Sequence, residues 1–122
     1  MAELAWLKLY TEIRSDPKMR RLDDAEFRIW ITAMCLAAES SERGYLLLAP
    51  GLPLTLEDIA LETNKPIGVV EAAFAKFRAL KMVDLREEDH CYYLINFDKR
   101  QRRKASDEPE AVNERVRDRK SV

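Results

Sequence analysis

The run Thr55-Leu56-Glu57-Asp58-Ile59-Ala60-Leu61-Glu62-Thr63-Asn64-Lys65-Pro66-Ile67-Gly68-Val69-Val70-Glu71-Ala72-Ala73-Phe74-Ala75-Lys76-Phe77 holds two helix starts separated by a breaker. Thr55 and Asp58 have the spacing of a capping box, in which the Thr hydroxyl accepts from the third helical N–H and the acidic side chain reaches back. Leu54 and Ile59 bracket that cap as a hydrophobic staple, so the spacing predicts a helix of about two turns over Leu56 to Glu62. Thr63-Asn64-Lys65-Pro66 then stops it. Pro66 suits a first helical position, and Ile67, Val70, Phe74 and Phe77 recur on one stripe, which predicts a longer helix behind a tight turn.

Downstream, Val83-Asp84-Leu85-Arg86 and Cys91-Tyr92-Tyr93-Leu94-Ile95 flank the polar Glu87-Glu88-Asp89-His90, the pattern of a hairpin with a four-residue loop. Upstream, Tyr45-Leu46-Leu47-Leu48-Ala49, closed by Pro50-Gly51, reads as a strand that starts a small sheet. Before the Ser40–Gly44 loop, Asp23 caps a helix whose third residue is Glu26, with Leu22 and Phe27 as its staple. Phe27, Trp30, Ile31, Met34 and Ala38 form its expected core stripe through Glu39, with Trp30 in the core. Earlier still, residues 4–14 read as a strand or helical turn, followed by a brief helix over Asp16 to Arg21. The expected fold is mainly α with a small β-sheet. Helix, strand, short helix, turn, longer helix and hairpin, in that order, are the layout of a winged helix-turn-helix.

A chain of 122 residues, 47% hydrophobic, can bury a core as one domain without disulfides or metals. It has no run of eighteen apolar residues and no leader-like start, so a cytoplasmic protein with no membrane contact is expected. Two cysteines and one histidine are not a zinc inventory. His90 and Cys91 are neighbours on a strand, where adjacent side chains point to opposite faces, so Cys91 reads as a small buried hydrophobe. Nor is there a phosphate-cradling glycine loop or a nucleophile beside a base, and no enzymatic activity, metal or cofactor is expected.

Charge is uneven. Residues 1–98 carry 12 Lys+Arg against 17 Asp+Glu, a net of −5, whereas residues 99–122 carry 9 against 5, a net of +4. The chain therefore divides into a winged-helix domain with an N-terminal extension over 1–98 and a tail over 99–122, basic and then mixed in charge. With almost no apolar face to bury, that tail is expected to be flexible, or a marginal helix, when nothing is bound.

The motifs Trp6-Leu7-Lys8-Leu9, Asp16-Pro17-Lys18, Leu56-Glu57-Asp58-Ile59-Ala60, Val69-Val70-Glu71-Ala72-Ala73-Phe74, Leu80-Lys81-Met82-Val83 and Ile95-Asn96-Phe97, together with the Trp30 helix, resemble the N-terminal domain of phage replisome organisers. The resemblance to DnaD-type primosome proteins is looser. It covers roughly residues 4–101, and it implies a winged-helix module that binds origin DNA or assembles with itself and with helicase-loading or other replisome proteins. The larger members carry a separate C-terminal DNA-binding or helicase-contacting domain that is expected to be missing here, so the resemblance implies the role of the first domain rather than the complete organiser activity.

Within that reading the candidate DNA contacts are cations. Lys65, Lys76 and Arg78 belong to the helix pair, Lys18, Arg20 and Arg21 precede the first long helix, and Lys99, Arg100, Arg102, Arg103 and Lys104 place five cations within six residues. Five neutralised phosphates would give a log–log salt slope of roughly −4 to −5 on duplex DNA. Two features oppose DNA. The outer face of the longer helix, Gly68, Glu71, Ala72, Ala75, Lys76 and Ala79, is poor in base-reading side chains, and Glu87-Glu88-Asp89 would set three negative charges at the wing tip. Tyr92 and Tyr93 should face opposite sides of their strand, and Trp6, Leu9 and Tyr10 could form an apolar patch that supports homo-oligomers. Duplex DNA is favoured over single strands. A winged-helix transcriptional regulator and a protein–protein interaction and oligomerisation module without DNA remain the alternatives.

Overall fold

The structure is a computed structural model that describes residues 6–101. After an extended start, a 3-10 turn over Thr11–Arg14 leads to α1 (Pro17–Arg20), α2 (Asp24–Glu39), β1 (Leu47–Ala49), β2 (Leu52–Pro53), α3 (Leu56–Thr63), α4 (Ile67–Ala79), β3 (Val83–Arg86), β4 (Cys91–Leu94) and α5 (Phe97–Gln101). The mainly α fold with small antiparallel sheets is as expected from the sequence.

Both capping boxes form. The Asp23 carboxylate accepts from the Glu26 N–H at 2.8 Å and the Glu26 carboxylate accepts from the Asp23 N–H at 2.9 Å. At α3 the corresponding bonds between Thr55 and Asp58 are 3.1 and 2.9 Å. Each satisfies two helix-end donors that would otherwise be orphaned. Asn64, in the left-handed region at φ 56°, ends α3, and Pro66 is the residue just before α4 rather than its first turn. The turn is therefore made by Asn64-Lys65-Pro66.

The core lies where α2, α3 and α4 meet the β3–β4 hairpin. Phe74 stacks edge-on against Phe77 at 5.4 Å and against Tyr92 at 4.8 Å, while Trp30 meets Phe77 at 5.3 Å. The buried stripe of α2 is Ile29, Ala33 and Ala37, with Ala38 beside it, which corrects the stripe expected from the sequence. Phe27 is exposed and Trp30, Ile31 and Met34 are only partly buried. Alanines let α2 approach its partner helices closely, and the large rings of α4 fill the space; a reading weighted by side-chain bulk selects the wrong rotation. Ile67, also expected in the core, is exposed at the start of α4, where Ala73 takes a buried place instead.

The hairpin pairs Val83 with Leu94 through Arg86 with Cys91, around the expected loop of residues 87–90. The strand expected over Tyr45–Ala49 divides: Leu47–Ala49 pairs locally with Leu52–Pro53, and Tyr45 bridges Tyr93. Leu46 N–H donates to the Tyr92 carbonyl at 2.9 Å and Leu94 N–H donates to Gly44 at 2.8 Å, so the segment before β1 lies along β4. Tyr92 faces Phe74 and Tyr93 faces Tyr45, on opposite sides as the strand period requires.

Candidate nucleic-acid interface

Asp16 starts the first cluster of cations. Its side chain accepts from the Lys18 N–H at 2.8 Å, and Pro17 at the first position preorganises the single turn of α1, which presents Lys18 and Arg20, with Arg21 just after it, to solvent. Lys76 reaches this cluster from α4: its ammonium donates to the Arg21 carbonyl at 3.1 Å and to Glu26 at 2.8 Å. The two stretches of sequence are thus adjacent, but Lys76 is committed to holding them together.

The second cluster begins on α5. Arg100 forms an ion pair with Glu12 at 3.0 Å, lies 4.6 Å over the Tyr10 ring, and accepts the Tyr10 hydroxyl through its carbonyl at 2.6 Å. Gln101 clamps the backbone of Lys8. The division expected at residue 98 therefore falls inside a helix that is tied to the N-terminal segment. Arg102, Arg103 and Lys104 lie outside the described residues.

Among the described residues, Lys18, Arg20, Arg21, Lys65 and Lys99 have side chains in no ion pair, whereas Lys76, Arg78 and Arg100 are paired. The Arg78–Asp84 pair, 3.2 Å long and half exposed on both sides, is weak in water, whereas the equally exposed Arg100–Glu12 pair is backed by the Tyr10 ring. Among the described residues, further cations in no ion pair escaped sequence reasoning: Arg14 in the 3-10 turn, Arg28, which donates to the Thr63 carbonyl, and Lys81 after α4. Lys81 stands at the residue after a helix end, where glycine is the usual occupant, and that position was the signal available.

The hairpin tip is less negative than its sequence. Arg86 binds both carboxylate oxygens of Asp89, at 3.1 and 3.0 Å, bonds to Glu42 at 2.9 Å and stacks 4.3 Å over Tyr45. Arg86 holds the Asp89 carboxyl below its usual range, and the carboxylates in turn raise the guanidinium. Of the three acidic residues, only Glu87 and Glu88 remain exposed without such a partner.

On α4 the exposed residues are Ile67, Gly68, Val69, Glu71, Ala72, Ala75, Arg78 and Ala79, joined at the turn by Leu61, which is 82% exposed. That surface is largely apolar, and Arg78, its hydrogen-bond donor for a base edge, is bonded to Asp84. Burial pushes the thiol of Cys91 up, and partial desolvation with Glu39 nearby does the same for Cys35, so both are protonated and poorly nucleophilic at neutral pH. Cys91 Sγ donates to the Leu46 and Tyr92 carbonyls rather than approaching His90.

The sequence pattern of the N-terminal phage replisome organiser matches this chain over residues 6–122. The chain belongs to that family. As a phage replisome organiser domain it has a role in phage or bacterial replication initiation and works among replication proteins. The match to this family spans the clamped N-terminal segment, the helix pair, the hairpin and the whole basic run from Lys99 to Lys104. No curated protein and no solved structure matches the chain. Among the described residues of this organiser domain, no helix is long and apolar enough to cross a membrane.

Proposed function

We propose that this organiser domain is a winged-helix DNA-binding and assembly module that holds duplex DNA chiefly by its phosphates. Lys18, Arg20 and Arg21 provide one set of contacts and Lys99 with Arg102, Arg103 and Lys104 the other. Lys65 adds a contact at the turn of the helix pair, with Arg78 exchanging Asp84 for phosphate. The module carries out no catalytic step, and it self-associates through the N-terminal segment, where Leu9 is exposed.

The observation that carries this reading is the division of cations between paired and unpaired. Phosphate binding is favoured at a cation that does not first have to leave a carboxylate, and Lys18, Arg20, Arg21, Lys65 and Lys99 meet that condition among the described residues. Arg100 is engaged by Glu12 and lies over the Tyr10 ring, so the basic run contributes four rather than five cations, roughly −3.6 of the salt slope, and Lys18, Arg20 and Arg21 add roughly −2.7. Fluorescence anisotropy of a labelled duplex over a salt series tests this. Affinity that is independent of salt would sink it.

A second reading has its own support. The exposed Leu61, Ile67 and Val69 at the α3–α4 turn suit a protein partner better than a groove edge of DNA. On that reading Leu61→Lys abolishes assembly and leaves DNA affinity unchanged or higher.

A further inference from the structure

Between the N-terminal segment, α1, α2 and the stretch from Lys81 to Gln101 lies a groove of about 210 Å³. Its floor is apolar and deformable: Ile13, Met19, Trp30 and Met34 are only partly buried and face it. Trp30 and Met34, packed against the core on one side, turn their partly buried other side to this groove. Methionine thioethers adapt to varied apolar shapes, a property suited to a site that accepts side chains. The volume lies below the range of about 300–1,000 Å³ that encloses a whole drug-sized ligand, so the groove accommodates one or two anchoring side chains.

The rim has an unbalanced charge. Glu12 is paired with Arg100, and Asp16 keeps its charge while capping α1, so the one carboxylate without an ion pair stands against two cations, Lys18 and Lys81, that have no ion-pair partner among the described residues. Lys81 is held at φ 61°, in the left-handed region that a residue with a Cβ adopts only at a cost. Its N–H donates to Arg78 at 3.0 Å and the next N–H, of Met82, donates to Phe77 at 2.8 Å, a helix-ending motif that glycine forms without strain. A lysine in that place keeps a cation at the groove mouth at a cost in stability.

We propose that this groove docks an acidic peptide segment of a partner protein, one large apolar side chain seated on the Trp30–Met34 floor and flanking carboxylates on Lys18 and Lys81. An apolar floor recessed beneath two cations fits such a segment better than duplex DNA, whose bases are already stacked and whose phosphates need no apolar seat. The site shares Lys18 with the DNA reading and is separable from it at Lys81, which takes no part in that reading.

The test uses the full chain and labelled acidic hexapeptides of Asp and Glu around a central Phe, Trp, Leu or Met, with an alanine-centred peptide and a short duplex as comparisons. At least one anchored peptide is expected to bind more tightly than the alanine peptide. Lys81→Gly is expected to raise the melting temperature while weakening that peptide two- to fivefold, the range of one exposed charge contact. Duplex affinity stays unchanged in Lys81→Gly. The proposal is overturned if no anchored peptide exceeds the alanine peptide, if Lys81→Gly leaves peptide affinity intact, or if the duplex competes for the groove and loses affinity in the same variant.

Discussion

The Gln101 side chain holds the backbone of Lys8 from both sides, its Nε2 donating to the Lys8 carbonyl at 2.8 Å and its Oε1 accepting the Lys8 N–H at 2.6 Å. Ninety-three residues separate the two, so this amide closes the N-terminal segment onto α5. Gln101 is 5% exposed, and truncating it leaves a partly buried donor and acceptor without their partner. Gln101→Ala is expected to cost about 1–3 kcal/mol and to accelerate exchange at the Lys8 amide. Unchanged exchange at that amide would show that the segment is held by Arg100 and Tyr10 instead.

Core rotation of α2 gives a paired expectation. Phe74→Ala empties a space bordered by Phe77 and Tyr92 and should destabilise the domain by about 3–5 kcal/mol. Phe27→Ala, at a ring that is 38% exposed, should cost less than about 1 kcal/mol. Urea denaturation separates them. Equal losses would place Phe27 back in the core.

Acid should loosen the hairpin loop before it unfolds the core. Arg86 on both oxygens of Asp89, with the Cys91 N–H added at 3.2 Å, lowers the folded carboxyl below its ordinary value of about 3.9. A depressed folded value means that the contribution is complete above the ordinary Asp value. It is lost as pH falls from there through the folded value. Protection of the amides at residues 87–91, measured against the intrinsic exchange rate at each pH, is expected to fall over that acid window in the native chain. In Asp89→Asn protection should be low already at neutral pH and unchanged through the same window. A parallel loss of protection in both chains would assign the acid response to other carboxylates.

How much of this was legible follows from the range of each signal. Capping boxes at Asp23 and Thr55 and the loop of residues 87–90 are local, set within four residues, and they form as the sequence suggests. The orientation of α2 is not local. It depends on how closely alanine faces allow helices to approach, which hydrophobic bulk does not encode. Charges were legible as residues but not as free or committed groups, since Lys76 meets Glu26 across fifty positions and Arg100 meets Glu12 across eighty-eight. The groove was illegible for the same reason: its floor comes from the 3-10 turn, α1 and α2, and its cation from the end of α4.

That distinction between free and committed cations decides the expected response of DNA binding to mutation. Arg102/Arg103/Lys104→Ala removes three phosphate contacts from the proposed run, so the log–log salt slope should become shallower by roughly 2.7. Arg20/Arg21→Ala should reduce it by roughly 1.8 through the other cluster. Lys76→Ala removes a cation already bonded to Glu26 and to the Arg21 carbonyl, so its slope should remain that of the native chain, with only a modest loss of thermal stability. A slope that falls in Lys76→Ala and holds in the triple variant would reverse the assignment, moving the DNA contact from the basic exit to the body of α4. Such a result would require the Lys76–Glu26 pair to open on binding, and Glu26→Gln would then tighten DNA rather than leave it unchanged.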